Sequence, residues 1–316
     1  MKVLIIDTIH EALVLKLRQA GFTCEILPEE KRTVDDVRRM LTDCQGLVLR
    51  SGISVDRALI DANPQLAFIG RVGAGLEHIQ VQYARDKGVE VLSSPEGNRQ
   101  AVAEHALGSL LSLFNRLHIA DHEVRNGTWL RKQNEGEELQ GKTVAIVGFG
   151  NTGSAFGKLL SGFQVEVLTF DKYKDVQSTK GIEQVGMEEV YRRADVVSLH
   201  LPYNDETHHL VDADWISSFE RPFYLINTSR GGIVHSEDLL KALETGRVKG
   251  ACLDVLEYET QTLTMPAFED LPETARKLMN HSNVLLSPHI AGLTRQSFEK
   301  LSSILADKII ARFKPA

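Results

Sequence analysis

Three ionisable side chains in the second half of this 316-residue sequence each follow an apolar, strand-like run. Arg230 lies in Leu225-Ile226-Asn227-Thr228-Ser229-Arg230-Gly231-Gly232, where a buried strand gives way abruptly to small residues and a guanidinium. That group suits bidentate capture of a carboxylate. Glu259 follows the run 251–255, and His289 follows 284–286 through Ser287-Pro288. Open α/β sheets bind their ligands at the carboxyl ends of strands, and an arginine, a carboxylate and a histidine are expected at three such ends. Singly, each has a plainer explanation: a surface ion pair for Arg230, a solvated acid for Glu259, a hydrogen-bonded loop histidine for His289.

A second constellation lies upstream. The β-type run 143–147 enters Gly148-Phe149-Gly150-Asn151-Thr152-Gly153, and a helical run follows over 154–163. Strand, glycine turn and helix in that order form a dinucleotide-binding pattern. Gly148 permits the tight turn, Gly150 lets backbone approach a pyrophosphate, Gly153 lets the helix lie close to the strand, and the helix N-terminus faces the phosphate charge. The glycine pattern alone is weak, because such turns join strands to helices in many proteins. Its surroundings strengthen it. A second strand over 165–170 ends at Asp171, near the roughly 20-residue spacing at which an acid meets the ribose hydroxyls. A carboxylate there repels a 2′-phosphate and favours NAD, although Lys172 beside it leaves NADP open.

These residues need elements to position them. Short aliphatic runs at 3–7, 23–27, 46–49, 66–71 and 89–92 alternate with amphipathic stretches such as 34–41 and 55–60. That alternation predicts a doubly wound parallel sheet covered by helices. A second series begins at Val144 and continues at 165–170, 195–199, 223–227, 250–254 and 283–286, predicting a second domain of the same class. The expected organisation is therefore α/β: a flavodoxin-like domain from 1–97 plus 288–316, with a Rossmann domain inserted over 98–287. The apolar helical runs 101–115 and 297–313 are expected to cross between them, and 258–278 reads as an irregular excursion.

Composition bounds the class. With 42% apolar and 25% charged residues the chain has the balance of a soluble globular protein rather than a disordered or membrane one. No window reads as a membrane span, and the first residues read as strand and helix rather than a signal peptide, so a cytoplasmic location is expected. Cys24, Cys44 and Cys252 have no metal-type spacing and read as reduced. A net charge of −7, with few aromatics and no basic patch, argues against nucleic acid. His118 and His122 lie one helical turn apart, but Ile119 stands where a zincin would need glutamate, so no metal is expected.

Taken in order, these segments resemble the D-isomer-specific 2-hydroxyacid dehydrogenase family over nearly the whole chain. The matching stretches include Gly70-Arg71-Val72-Gly73-Ala74-Gly75, Gly97-Asn98-Arg99 leading to Ala103-Glu104, and Gly127-Thr128-Trp129 with Arg131. They continue with the glycine turn, His200-Leu201-Pro202 with Glu206-Thr207, the run 227–232, Leu253-Asp254-Val255 with Glu259, and Ser287-Pro288-His289-Ile290-Ala291-Gly292. The resemblance implies direct hydride transfer between NAD and the C2 of a D-2-hydroxy acid. His289 would take the hydroxyl proton, Glu259 would pair with it and favour imidazolium, and Arg230 would hold the substrate carboxylate. Cofactor contacts would come from Gly148, Gly150, Asn151, Thr152, Gly153 and Asp171, from His200, Pro202 and Thr207 on the adenosine side, and from Thr228, Ser229, Asp254, Ala291 and Gly292 on the nicotinamide side. Ala74 and Gly75 would offer amides to the substrate carboxylate, with Ser51 and Asn98 nearby.

Within the family the D-3-phosphoglycerate branch matches most, because Arg50 and Arg71 fall where that branch places basic groups near a substrate phosphate; a salt-bridged strand end is the plainer explanation for either. This implies a role in serine biosynthesis. The chain ends soon after its last helix, so no regulatory domain and no serine feedback are expected. A glyoxylate or hydroxypyruvate reductase shares every catalytic residue and is the alternative, and an NAD-sensing corepressor-like scaffold is a third. One departure concerns Glu259: the family often has proline next, whereas Thr260 follows here, leaving Glu257 as a fallback. The family also implies a homodimer, with 101–115 and 127–136 as contacts.

Overall fold

The computed structural model describes residues 1–27, 33–176, 181–260 and 263–314. The chain divides into two units, Met1–Arg99 with Thr260–Thr264 and Leu293–Ala316, and Gln100–Glu259 with Met265–Gly292.

The first unit carries β1 (Lys2–Ile5), α1 (Glu11–Gln19), β2 (Thr23–Ile26), α2 (Val34–Leu41), β3 (Gly46–Leu49), α3 (Arg57–Asp61), β4 (Phe68–Arg71), α4 (Val81–Asp86) and β5 (Glu90–Ser93). All pairings are parallel and the order is β2-β1-β3-β4-β5, the flavodoxin-like winding. Successive residues of β1, and Ile6 just after it, are buried on opposite faces. Val3 and Ile5 join one core, Leu4 and Ile6 another, which is why these strands read as unbroken apolar runs. Side-chain caps fix the helix starts: Thr33 accepts from Asp36 N in α2 and Asp56 from Leu59 N in α3.

The second unit holds most of α5 (Arg99–Phe114), then α6 (Leu117–Arg125), β6 (Thr143–Val147), α7 (Asn151–Leu160), β7 (Glu166–Phe170), β8 (Ile182–Gln184), α8 (Met187–Arg193), β9 (Val196–Leu199), α9 (Ala213–Ser217), β10 (Phe223–Asn227), α10 (Ser236–Glu244), β11 (Val248–Leu253), α11 (Glu273–Met279) and β12 (Val284–Leu286). Its sheet is parallel throughout, in the order β12-β11-β10-β9-β6-β7-β8. The first strand of the unit is central and the chain winds outward both ways, the Rossmann arrangement. Ala145 and Val147 face one core, and Val144 and Ile146 face the other with α5 and α7. A last helix, α12 (Arg295–Phe313), opens with a Thr294–Ser297 capping box and packs Leu301, Leu305 and Ile309 against the first sheet.

The structure differs from the sequence expectation in four places. The second unit runs through Gly292 rather than ending at 287, so His289 shares it with Arg230 and Glu259; Asp254 ties down the backbone of Ile290 and Ala291. Strand β8 was not expected, being three residues long at a sheet edge. The excursion 258–278 includes a 3-10 turn at Phe268–Asp270 and most of α11. Finally, the apolar side of α5 (Ala103, Ala106, Leu110, Phe114) is packed inside its own unit. Among the described residues no helix is long and apolar enough to cross a membrane.

Candidate active site

The three singled-out side chains leave three neighbouring strands. Asn227 of β10 pairs in register with Leu253 of β11, and Leu253 with Leu286 of β12. Arg230, Glu259 and His289 thus emerge from one edge of one sheet, on strands spaced about 4.8 Å apart. His289 Nδ1 lies 2.7 Å from Glu259 Oε2, and both side chains are largely buried. Nδ1 is thereby committed to the carboxylate, leaving Nε2 to exchange a proton with a ligand. The other oxygen of Glu259 accepts the Leu256 amide at 2.6 Å. Glu257 points elsewhere: it meets His209 Nε2 at 2.6 Å and the Ser236 amide at 3.0 Å. Of the two candidate acids, Glu259 is the one paired with His289.

The backbone around this pair is specialised. His289 has φ +55°, a left-handed conformation that costs a non-glycine residue about 1–3 kcal/mol and persists only where its surroundings hold it. Asp254 supplies the hold. Its carbonyl accepts the His289 amide at 2.8 Å, and its buried carboxylate accepts the amides of Ile290 (2.9 Å) and Ala291 (2.8 Å) and the Ser287 hydroxyl (2.6 Å). Asn227, fully buried, shapes the Arg230 turn by accepting the Ser229 amide and donating to the Arg230 carbonyl. Arg230 Nη1 donates to the Ser229 carbonyl at 2.7 Å. Gly231 lets that turn lie against the exit of β11, since a Cβ would fall 1.9 Å from the Leu256 carbonyl oxygen.

The glycine turn follows β6. Gly148 has φ +93°, and a Cβ on Gly153 would stand 2.1 Å from the Gly148 carbonyl oxygen. Above Gly150 the space is open, and no side chain caps α7 there. Asn151 and Thr152 form the first turn of α7. Asp171 accepts the amides of Phe149 (2.8 Å), Tyr173 (3.0 Å) and Lys174 (3.0 Å); a carboxylate offers about four acceptor sites, so Oδ2 retains capacity for a ribose hydroxyl. Lys172 is paired with Glu206 at 3.1 Å. Thr228 Oγ1 is buried without a partner, whereas the Ser229 hydroxyl is spent on the Leu199 carbonyl and the Leu201 amide. The open cradle, uncapped helix end and orphaned hydroxyl fit NAD. On this geometry Asp171→Ala should lower NAD affinity more than NADP affinity, by about tenfold; titration with both cofactors measures the ratio, and an equal loss removes the ribose role.

His200 sits behind the turn rather than over it. Its ring is buried beside Phe156, Nδ1 is 3.1 Å from Thr152 Oγ1, and Nε2 is 2.9 Å from Ser198 Oγ. Burial pushes the imidazole down to about 3. The unfolded chain therefore takes up a proton that the folded one refuses. Stability is complete above the ordinary histidine value of 6.5 and falls as pH drops toward 3, at about 1.4 kcal/mol per unit from this group. Urea unfolding at pH 7.5 and 5.5 should show a smaller drop in His200→Gln than in the parent; identical drops contradict it. Pro202 and Thr207 close a loop of their own, with Thr207 Oγ1 donating to the Pro202 carbonyl at 2.7 Å.

The first unit holds a set of its own. Asp7, buried two residues beyond β1, accepts the amides of Arg50 and Gly52 on either side of Ser51. The Arg50 guanidinium lies 5.3 Å from the centre of the Phe298 ring, with His10 edge-on to the same ring. Arg71 closes β4 and donates to the Val72 carbonyl at 3.1 Å, crossing Gly73 so tightly that a Cβ there would overlap it. Ala74 is exposed, Gly75 is half-buried, and Asn98 keeps a buried Oδ1 without a hydrogen-bond partner. Asp7 and Asn227 structure the turns beside Arg50 and Arg230, and the sequence does not single out either one. Polar residues at strand ends were the only signal for Asp7 and Asn227. His118 and His122 bond separately, to the Ser282 carbonyl and to Asn126.

Residues 107–291 match the family model described as D-isomer specific 2-hydroxyacid dehydrogenase, NAD binding domain. A hydroxypyruvate reductase of Thermotoga maritima is 32% identical over 275 residues, 87% of each chain. A D-3-phosphoglycerate dehydrogenase of Methanocaldococcus jannaschii is 30% identical over 98% of this chain, which spans 57% of that relative's length. The crystal structure of a D-lactate dehydrogenase from Aquifex aeolicus, complexed with NAD and lactic acid, superposes with a TM-score of 0.81 at 26% identity, covering 98% of this chain and 94% of that one. The chain belongs to the D-isomer-specific 2-hydroxyacid dehydrogenases, enzymes that use NAD.

Proposed function

We propose that the chain oxidises D-3-phosphoglycerate with NAD, in the direction of serine biosynthesis, and that Arg230, Glu259 and His289 carry the reaction. Bound NAD supplies the hydride acceptor. His289 Nε2 accepts the proton of the C2 hydroxyl while the C2 hydrogen leaves with its electron pair. Glu259, at 2.7 Å, orients the ring and balances the imidazolium that forms. Arg230 pairs with the substrate carboxylate and draws electron density toward the forming carbonyl oxygen. In reduction the steps reverse, and protonated His289 is the acid.

The observation that favours the phosphorylated acid is the set of basic side chains at the carboxyl ends of the first sheet: His10 beyond β1, Arg50 after β3 and Arg71 ending β4. The winding reverses between β1 and β3, and ligands of open sheets bind at such a reversal. A second reading, reduction of hydroxypyruvate or glyoxylate, is favoured by the bond from Arg71 to its own turn and the seat of Arg50 on Phe298. The hydroxypyruvate reductase relative also matches over most of its length. Absorbance at the nicotinamide band decides between them, with D-3-phosphoglycerate, D-glycerate, D-lactate and glyoxylate as substrates and Arg50→Ala as control. The phosphate reading expects the highest kcat/KM on the phosphorylated acid and its selective loss in the variant. Turnover of unphosphorylated acids alone overturns it.

A homodimer is part of the proposal. Apolar side chains stand exposed on α6 and the following loop, namely Leu117, Val124, Trp129 and Leu130, with Trp129 at 75% exposure. Large apolar side chains left this exposed suit a protein interface. Light scattering should give twice the chain mass, and Trp129→Asp should lower it; a monomeric parent protein contradicts the dimer.

A further inference from the structure

His105 sits at the middle of α5, 182 residues from the catalytic loop in sequence, yet its Nε2 lies 2.9 Å from Ser287 Oγ and 3.6 Å from Asp254 Oδ1. The direction of the chain of hydrogen bonds follows from proton counting. Asp254 is a buried carboxylate, an acceptor only, and Ser287 Oγ is 2.6 Å from it. The single hydroxyl proton of Ser287 therefore goes to Asp254, and toward His105 the same oxygen must accept. His105 Nε2 thus carries a hydrogen and donates. At the far end Asp254 grips the reactive loop at and just after His289, its carbonyl accepting the His289 amide and its carboxylate the next two amides.

We infer that His105 is a positioning residue for His289: its Nε2–H donates through Ser287 to Asp254, which holds the left-handed backbone that aims the His289 imidazole at Glu259. The physical need is clear. A backbone at φ +55° relaxes unless its surroundings over-determine it, and a buried carboxylate holds its place only when its lone pairs are satisfied. Without His105, Ser287 loses its donor and is free to turn away from Asp254, so the loop regains room to relax. His289 then loses its alignment, although no group that meets the substrate has been altered. Misplacement by about 1 Å is enough to cost about 100-fold in rate.

The inference rests on the role proposed for His289, so the test includes His289→Asn as a reference. His105→Leu removes the donor at similar volume, and His105→Gln returns an amide donor near the original Nε2. The expected result is a fall of about 10- to 100-fold in kcat for His105→Leu, NAD affinity within about twofold of the parent on the same scale, and recovery of most of the kcat in His105→Gln. A purely structural role moves thermal stability without this split and without rescue. If His105→Leu does not fold, Ser287→Ala breaks the same link outside α5 and should show the same selective fall in kcat. Parent-like kcat in folded His105→Leu or in Ser287→Ala overturns the inference, as does failure of His105→Gln to recover where His105→Leu is folded and impaired. If His289→Asn itself retains full activity, the failure belongs to the role proposed for His289 instead.

Discussion

His289→Asn leaves a folded protein that binds NAD and turns over its hydroxy acid about 10²–10⁴-fold more slowly, the contribution of a positioned acid–base group. Asparagine is the informative replacement because it tolerates the left-handed backbone better than most residues. The hydrogen bonds that the amides of residues 289–291 donate to Asp254 are then preserved. What disappears is the proton acceptor paired with Glu259. The loss should appear in kcat and kcat/KM together, since the interaction belongs to the transition state. Steady-state kinetics with a fluorescence titration of NAD separates the two; an unchanged kcat removes His289 from the chemistry.

Gly231→Ala is expected to cost nearly as much without touching a reactive side chain. The new Cβ would stand 1.9 Å from the Leu256 carbonyl oxygen, 2.0 Å from its carbon and 2.5 Å from the Glu257 amide. All three are backbone atoms, so the exit of β11 must move. Overpacking of this kind costs about 1–3 kcal/mol of stability. The functional cost is larger, because the displaced Leu256 amide holds Glu259 in place. A fall of about 100-fold in kcat is expected, with a lowered melting temperature and a retained circular dichroism spectrum. A variant with normal kcat would show that Glu259 does not need the Leu256 amide.

Much of this site is legible in the sequence, for identifiable reasons. The glycine turn is readable because few residue types fit where backbone lies 2.1 Å from a missing Cβ. Arg230 and His289 are readable because each abruptly follows a buried parallel strand, whose apolar run is unmistakable when both faces are covered. Glu259 and Glu257 are two residues apart and chemically identical. Only the turn that brings the Glu259 amide to the Leu256 carbonyl separates the one facing His289 from the one facing His209. His200 lies in a recognisable motif, but its burial behind the turn is a tertiary fact. His105 looks like a polar interruption in an apolar helix, and its partner comes from the far end of the unit. Strand β8 is too short to show a period.

As a D-isomer-specific 2-hydroxyacid dehydrogenase, this chain transfers hydride between NAD and the C2 of D-configured 2-hydroxy acids. The most direct test is absorbance at the nicotinamide band, with purified protein, NAD and matched D and L enantiomers of 3-phosphoglycerate, glycerate and lactate. Reduction of NAD is expected with at least one D enantiomer, none with its L partner, and the signal should be lost in His289→Asn. Equal rates on both enantiomers, or no reduction with any 2-hydroxy acid, would contradict it.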